Sequence, residues 1–242
     1  MLKFGKKPKR SDPRDLMFAN YLTPAMPPPP PTYSNLARVY QNLNTSDPTV
    51  LFPMDGNDKK GDCTIAALAH AATVYHGLVD KKSIAKSGSV VTKYLWLTHG
   101  MDNGLDELTV LKYWHKHIVF GDKALAYVSL HPKNHTNVML AISMFGGVYL
   151  GFNVQENCVE EFQAGQPWTP GPLTNEGHAV YAVDYTASDL TVLTWGNIQH
   201  ATWNWWDACV DEAYAILPQE AAQLDFAPGF NFAQLQADIN AL

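Results

Sequence analysis

The stretch that decides the fold is Gly61-Asp62-Cys63-Thr64-Ile65-Ala66-Ala67-Leu68-Ala69-His70. Its apolar residues continue at helical spacing to Tyr75, which predicts a helix over about 63–76 with one apolar stripe facing a core. Asp62 is placed to act as the N-cap. Cys63 then lies at the positive end of the helix dipole, where the pKa of a thiol is lowered. The alternative interpretation of Cys63 is a small apolar residue packed at a helix start.

A second motif far downstream favours the chemical interpretation. It is Gly177-His178-Ala179-Val180-Tyr181-Ala182-Val183-Asp184-Tyr185, an alternating apolar strand that begins with a histidine. Catalysis by a cysteine requires the thiolate, and an imidazole can take the thiol proton and later protonate the leaving group. A helix and a strand can bring Cys63 and His178 together although they are far apart in the chain. The two motifs therefore predict a Cys/His nucleophilic pair.

The composition is that of an ordinary globular protein. The chain has 242 residues, of which 46% are hydrophobic and 17% charged, enough for one substantial domain with extensions. The net charge of −6 gives no support to a nucleic-acid partner. No apolar run approaches the ~18 residues of a membrane span, and no apolar segment follows the basic N-terminus as in a secretory signal. We expect a soluble protein, cytoplasmic or associated with a particle, that contacts neither membrane nor nucleic acid.

The sequence shows no cofactor or metal motif. The three cysteines, Cys63, Cys158 and Cys209, lack metal-ligand spacing, and their odd number suits a reducing compartment or a working thiol. His115 and His117 point to different faces of a predicted helix. The other histidines are expected to be surface or packed imidazoles. We therefore expect no cofactor and no metal.

The chain divides into three segments. Residues 1–56 form an N-terminal arm with several lysines at its start and the run Pro27 to Pro31, a polyproline II strap that lies on the body or covers the cleft. Residues 57–217 form the main domain. Residues 218–242 form a tail with a short helix over about 231–241. In the main domain helices come first and antiparallel-looking strands later, which is an α+β pattern.

Within the main domain we also predict a helix that begins near Leu105, capped by Asp102 or Asn103, and a helix over 135–145 that ends at Gly146. Strands are predicted at 124–130, 148–154, 178–186, 190–195 and 211–217. The segment 83–98 is ambiguous between helix and strand, and 155–176 is a long loop.

Over residues 57–217, roughly two-thirds of the chain, several motifs resemble those of the papain-like cysteine peptidases and follow each other in the same order as in that family. Asn57 precedes Cys63 where the family has the glutamine of its oxyanion hole. His178-Ala179-Val180 is similar to the family's histidine strand. The remaining similarities are Gly146-Gly147-Val148-Tyr149-Leu150, Thr194-Trp195-Gly196 and Asp211-Glu212-Ala213-Tyr214-Ala215-Ile216. Each motif alone is weak, and their common order makes the resemblance specific.

The resemblance implies an α+β, two-lobed fold, in which a helical lobe carries Cys63 and an antiparallel sheet lobe carries His178 across a cleft. It implies hydrolysis of a peptide or amide bond of a peptide or protein substrate through a thioester intermediate. Cys63 would be the nucleophile and His178 the general base and acid, with Asn57 and the Cys63 backbone N–H as oxyanion donors. We expect the Cys63 sulfur about 3–4 Å from a His178 ring nitrogen.

Three positions depart from the family pattern. The histidine-orienting asparagine aligns with Leu193, or with Thr194 if one residue is lost, and Asn197 in the following turn is our candidate orienter. Asn57 is shorter than the family's glutamine, and Thr64 replaces the tryptophan after the nucleophile. Without a third group the histidine tautomer is less well fixed.

These departures leave other functions open. The alternative is a non-catalytic papain-fold binding or structural module of a larger assembly, such as a phage or virion component, held through its terminal arms. Acyl transfer at the same site is a third hypothesis.

Overall fold

The computed structural model describes residues 2–79, 84–219 and 228–241. The helices are α1 (Leu36–Leu43), α2 (Pro48–Leu51), α3 (Cys63–Leu78), α4 (Ser87–Leu97), α5 (Glu107–Lys116), α6 (His135–Phe145), α7 (Cys158–Gln163), α8 (Trp203–Cys209) and α9 (Phe232–Asn240), and a 3₁₀ helix spans Phe18–Tyr21. The strands are β1 (Tyr33–Ser34), β2 (Ala124–Ser129), β3 (Val148–Gln155), β4 (Leu173–Tyr185), β5 (Asp189–Thr194), β6 (Asn197–Thr202) and β7 (Val210–Pro218). Across these described residues no helix is long and apolar enough to cross a membrane.

The strands form one antiparallel sheet in the order β2-β7-β3-β4-β5-β6, with β1 added to β4. Successive residues of a strand face opposite sides of a sheet. Val180 and Ala182 of β4 accordingly belong to one core, and Ala179 and Tyr181 belong to the core around α3. The sheet thus carries one core on each of its two faces.

Helix α3 is enclosed on every side. All its residues from Cys63 to Gly77 are buried, including polar ones such as His70. The prediction of a single apolar stripe is wrong, because a helix that is apolar around its whole circumference lies inside a lobe. Helix α1 packs on it where Val39 contacts Gly77. The Tyr75 hydroxyl donates to the Ile216 carbonyl of β7 and ties the helix to the sheet.

Two caps differ from the predictions. Asp62 occupies the N-cap position of α3, but its side chain makes no capping hydrogen bond. The cap of α5 is Asp106, whose side chain accepts from the Thr109 N–H, in place of Asp102 or Asn103. The helix over 135–145 and its end at Gly146 are confirmed.

The expected loop at 155–176 instead contains α7 and the start of β4, and the ambiguous segment is helical over α4. Its first residue, 83, lies outside the described residues. Strand β6 and helix α8 were not predicted from the sequence.

The proline strap lies against the body. The Pro30 carbonyl accepts a hydrogen bond of 2.9 Å from the Tyr185 hydroxyl, and the chain continues directly into β1. In the tail, Asp238 of α9 accepts from the Tyr21 hydroxyl at 2.9 Å. Residues 220–227 and 242 of the predicted tail, and residue 1 of the arm, lie outside the described residues.

Candidate active site

His178 is held in one orientation on β4. Its Nε2 lies 2.8 Å from the Thr194 hydroxyl on β5, and its ring stacks on Trp195 with centroids 4.4 Å apart. When Nε2–H donates to that hydroxyl, Nδ1 keeps a lone pair. Among the described residues the buried Nδ1 has no hydrogen-bond partner. Burial, with a smaller effect of His70, lowers the pKa of His178 to about 3, so the ring is neutral and burial opposes its protonation at Nδ1.

Cys63 begins α3 and is completely buried. Burial raises the pKa of its thiol to about 12, although backbone hydrogen bonds from Ala179 and Gly5 act in the opposite direction. The prediction of a lowered thiol pKa is therefore wrong for this state, because desolvation of the thiolate outweighs the helix dipole. Since Nδ1 has no partner in the part of the chain described, the expected bond between Cys63 and His178 is not formed either. The thiol instead lies beside Ala179, the residue that follows His178.

Residues 3–7, which we call the cleft segment, cross the site between the two lobes. Backbone hydrogen bonds to both lobes hold this segment: Lys3 N–H to Asn57 O (2.8 Å), Leu105 N–H to Gly5 O (3.0 Å), Lys7 N–H to Leu105 O (3.0 Å) and Lys6 N–H to Gly177 O (3.0 Å). Leu105 and Lys6 thereby form a parallel β-bridge. An extended peptide thus occupies the cleft.

The cleft segment contacts both candidate catalytic residues. The Phe4 ring lies 5.7 Å from the His178 ring, centroid to centroid, and Gly5 contacts the thiol of Cys63. A Cβ on Gly5 would lie 1.9 Å from the Gly61 carbonyl oxygen, so only glycine permits so close an approach. Residues 3–7, and not the proline strap, cover the cleft.

Asn57 lies beside the start of α3 and is buried. Its Nδ2 donates to the Asp62 carboxyl group, while its carbonyl accepts from Lys3. Burial raises the pKa of Asp62 to about 7, and the hydrogen bond from Asn57 acts against this shift. A side-chain amide has two N–H donors. The bond to Asp62 leaves the second one for a substrate oxygen, so the oxyanion role of Asn57 stays a prediction.

Asn197 is not placed to orient the histidine. Trp195 and Gly196, both with positive φ, form the turn between β5 and β6, which pairs Asn197 with Thr194 across the hairpin. The Asn197 side chain is exposed and accepts from the Ile198 N–H at 2.8 Å. The hydroxyl of Thr194 contacts His178 instead. Thr194 is the position that aligns with the family's histidine-orienting asparagine if one residue is lost.

His70 is a packed imidazole, as expected. Its Nε2 lies 3.1 Å from the Pro53 carbonyl oxygen and 3.2 Å from the Asp55 carboxylate, and its Nδ1 lies 3.4 Å from the Leu193 carbonyl oxygen. It therefore links α3 to the strand that carries Thr194.

A buried cluster of charges that was not predicted lies beside the site. Lys6 reaches into a pocket formed by Glu107, Asp211 and Glu212, which we call the acidic pocket. Its Nζ lies 3.1 Å from Asp211 and 2.9 Å from Glu212. Burial alone lowers the pKa of Lys6, but the carboxylates of Glu212, Glu107 and Asp211 outweigh it and the pKa is raised. The residues come from three distant parts of the chain, so no local pattern could identify the pocket.

Solved structures with the same fold are cysteine proteases. Xylellain, a cysteine protease from Xylella fastidiosa, is 16% identical, covers 89% of this chain and 96% of its own, and gives a TM-score of 0.64. Digestive procathepsin L 3 of the Tenebrio molitor larval midgut is 12% identical, with 84% and 76% covered and a TM-score of 0.58. Digestive procathepsin L2 proteinase of the same source is 13% identical, with 78% and 68% covered and a TM-score of 0.54.

No protein-family model and no curated protein matches the sequence. At these identities the structural similarity establishes the fold alone. The chain has the papain-like cysteine protease fold, an α+β architecture with a helical lobe and an antiparallel sheet lobe, as the resemblance predicted.

Proposed function

We propose that the protein is a cysteine peptidase that its own cleft segment holds inactive. One observation supports this most directly: a single extended peptide lies against both Cys63 and His178, through Gly5 and Phe4. Backbone hydrogen bonds from both lobes bind this peptide, and such bonds would bind any extended peptide. The cleft thus has the geometry of a peptide-binding site around a thiol.

The proposed reaction begins when the cleft segment leaves. Water then reaches Cys63 and His178, which relieves the desolvation that raises the pKa of the thiol and lowers the pKa of the imidazole. Nδ1 of His178 can then take the thiol proton. The thiolate attacks the carbonyl carbon of the peptide bond. The backbone N–H of Cys63 and Nδ2 of Asn57 would donate to the resulting oxyanion.

The second half of the reaction uses the same groups. The protonated Nδ1 gives its proton to the leaving amine as the carbon–nitrogen bond breaks, and a thioester to Cys63 remains. Nδ1 then takes a proton from water, whose oxygen attacks the thioester and releases the acid and the thiol. Thr194 acts as a positioning residue, because its hydroxyl holds Nε2 and keeps Nδ1 available.

A second candidate function is the non-catalytic module. The buried thiol with its raised pKa, and the missing bond to His178 within the described residues, favour it for the state described here. The two candidates differ in whether the site becomes reactive once the cleft segment is displaced.

Substitution Gly5→Ala provides the test, because its Cβ cannot be accommodated next to Gly61. We expect the full chain with Gly5→Ala to hydrolyse unstructured peptides and to form a thioester detectable by mass spectrometry. Adding Cys63→Ala should abolish both. Hydrogen exchange at residues 3–7 would establish that the segment has moved. If it has moved and neither thioester nor hydrolysis is detected, the protein is a binding module.

A further inference from the structure

The acidic pocket contains more carboxylate than one lysine can satisfy. Nζ of Lys6 has three hydrogens, and it lies near Asp211, Glu212 and the Lys7 carbonyl oxygen. Within the described ranges neither oxygen of the fully buried Glu107 receives a hydrogen bond. Buried carboxylates without full compensation destabilise a fold. The pocket therefore has acceptors for a larger cationic group than the one it holds.

The backbone beside the pocket leaves room for a long side chain. A Cβ on Gly151 of β3 would lie 1.9 Å from Cε of Lys6 and 2.7 Å from Oε1 of Glu107. Any other residue at this position would block the path from the cleft to Glu107. The glycine thus leaves the space beside Glu107 that the Lys6 side chain occupies, and burial raises the pKa of Glu107. Asp211 is the partly exposed carboxylate of the pocket.

The pocket opens next to the reactive thiol. Gly5 contacts Cys63, and the next residue, Lys6, donates its N–H to the carbonyl of Gly177 and extends its side chain into the pocket. A substrate peptide that lies at the same depth in the cleft places one side chain over the same opening. The cleft segment therefore shows which kind of side chain the pocket accepts.

We propose that the acidic pocket is the specificity site for substrates with lysine or arginine one residue from the residue that lies on Cys63. The proposal rests on the proposed peptidase function, and Lys6 is the intramolecular occupant of the substrate's place. A guanidinium group has five N–H donors and can bind one carboxylate through two parallel hydrogen bonds. It can use the oxygens of Glu107 that Lys6 leaves without a hydrogen bond, so arginine fits at least as well as lysine.

The first test needs no catalysis. In the full chain, Lys6→Ala removes the atoms from Cγ to Nζ, which correspond to n-propylammonium. We expect n-propylammonium chloride to raise the melting temperature of this variant saturably, whereas n-propanol at the same concentration and ionic strength does not. Lys6→Met, which fills the cavity, and Lys7→Ala, which removes an exposed neighbouring charge, should not respond. Adding Glu212→Gln to Lys6→Ala should weaken the response.

If Lys6→Ala does not fold by itself, the yield of folded chain is measured after refolding with n-propylammonium or with n-propanol. Recovery with n-propylammonium but not with n-propanol supports the proposal. Equal recovery with the alcohol, or none with the cation, overturns it, because the pocket would then be only a cavity or a fixed structural ion pair.

The second test measures specificity with the full chain that carries both Gly5→Ala and Lys6→Ala, because Gly5→Ala displaces the segment that covers Cys63. The substrates are benzyloxycarbonyl-X-Gly-aminomethylcoumarin, with arginine, its neutral isostere citrulline, lysine or norleucine at X. We expect kcat/KM for arginine to exceed that for citrulline by about 100-fold, since citrulline lacks the positive charge and two of the five N–H donors of arginine. The kcat/KM for lysine should likewise exceed that for norleucine. Adding Glu212→Gln should reduce both ratios of kcat/KM.

The two tests separate the two proposals. Hydrolysis without preference for the cationic side chain overturns the specificity proposal and leaves the peptidase function intact. If no substrate is hydrolysed, the peptidase function fails, and the melting experiment still decides whether the pocket binds cations.

Discussion

The Phe4 ring lies edge-on to the His178 imidazole, with ring centroids 5.7 Å apart and planes at 83°. Phe4 also contacts Trp195, the ring on which His178 stacks. The adjacent Gly5 contacts the thiol of Cys63. Access to the imidazole and access to the thiol are thus blocked by the same short segment, and one displacement would open both.

The first prediction concerns alkylation of Cys63. In the full chain we expect iodoacetamide to label Cys63 slowly, because the thiol is buried and its pKa is raised to about 12. Gly5→Ala should increase the labelling rate by about tenfold or more, a change equivalent to ~1.4 kcal/mol. Peptide mass spectrometry measures this rate, with the buried Cys158 and Cys209 as internal references.

The matched control for this experiment is Gly88→Ala, since a Cβ on Gly88 meets nothing within 4 Å. It should label like the unaltered chain. If Gly5→Ala and Gly88→Ala label alike, the cleft segment does not protect the thiol.

Thr194→Val tests the orientation of His178. The valine removes the hydroxyl that contacts Nε2 and leaves a buried ring nitrogen without a partner, at a cost of about 1–3 kcal/mol in the free energy of unfolding. In the Gly5→Ala background, kcat should fall by about 10²-fold or more, because the general base loses its fixed tautomer. Thr194→Ser keeps the hydroxyl and should retain most of the activity. Equal losses in the two variants would show that the hydroxyl does not position the ring.

Substitution of Asn57 is compared with substitution of Asn197, that is, of the proposed oxyanion donor with an exposed amide. In the same background, Asn57→Ala should lower kcat by about 10²–10³-fold with little change in KM, the usual effect of removing one oxyanion donor. Asn197→Ala should have kinetics close to those of its parent, because Asn197 is exposed and bonds to Ile198. Steady-state kinetics measures both. A large loss for Asn197→Ala with none for Asn57→Ala would reverse the assignment.

Asp62 should make stability depend on pH. Its pKa is raised by burial from 3.8 to about 7, so the folded chain keeps a proton that the unfolded chain has released. The resulting stabilisation is complete below pH ~4 and is lost as the pH rises towards 7, by up to roughly 1.4 kcal/mol per pH unit. His178 acts in the opposite direction. Its pKa is lowered to about 3, so its contribution is present above pH ~6.5 and is lost as the pH falls.

Urea denaturation at several pH values measures the effect of Asp62. Between pH 4 and 7, Asp62→Asn should lose less stability than the unaltered chain, because asparagine does not titrate. Asp58→Asn, at a more exposed carboxylate near by, should follow the unaltered chain. Identical slopes for Asp62→Asn and the unaltered chain would show that Asp62 does not hold the proton.

Local sequence patterns predicted the elements that carry the candidate site. The apolar spacing after Cys63 predicted α3, and the alternation after His178 predicted the apolar part of β4, because both patterns repeat over several residues of one element. Trp195, from the motif Thr194-Trp195-Gly196, stacks on His178. The contact between Thr194 and His178 was not predicted, because it depends on the pairing register of β4 and β5, which no local pattern specifies.

The sequence by itself determined the fold class, and it indicated Cys63 and His178 as the candidate pair. Only the tertiary structure decided their state. Whether a thiol at a helix start is ionised depends on how much water reaches it, and Gly5, from the far end of the chain, excludes that water. Lys6 similarly meets Glu107 and Glu212 only because three distant segments converge on the cleft. Burial and convergence are properties of the packed chain, and no local pattern of residues encodes them.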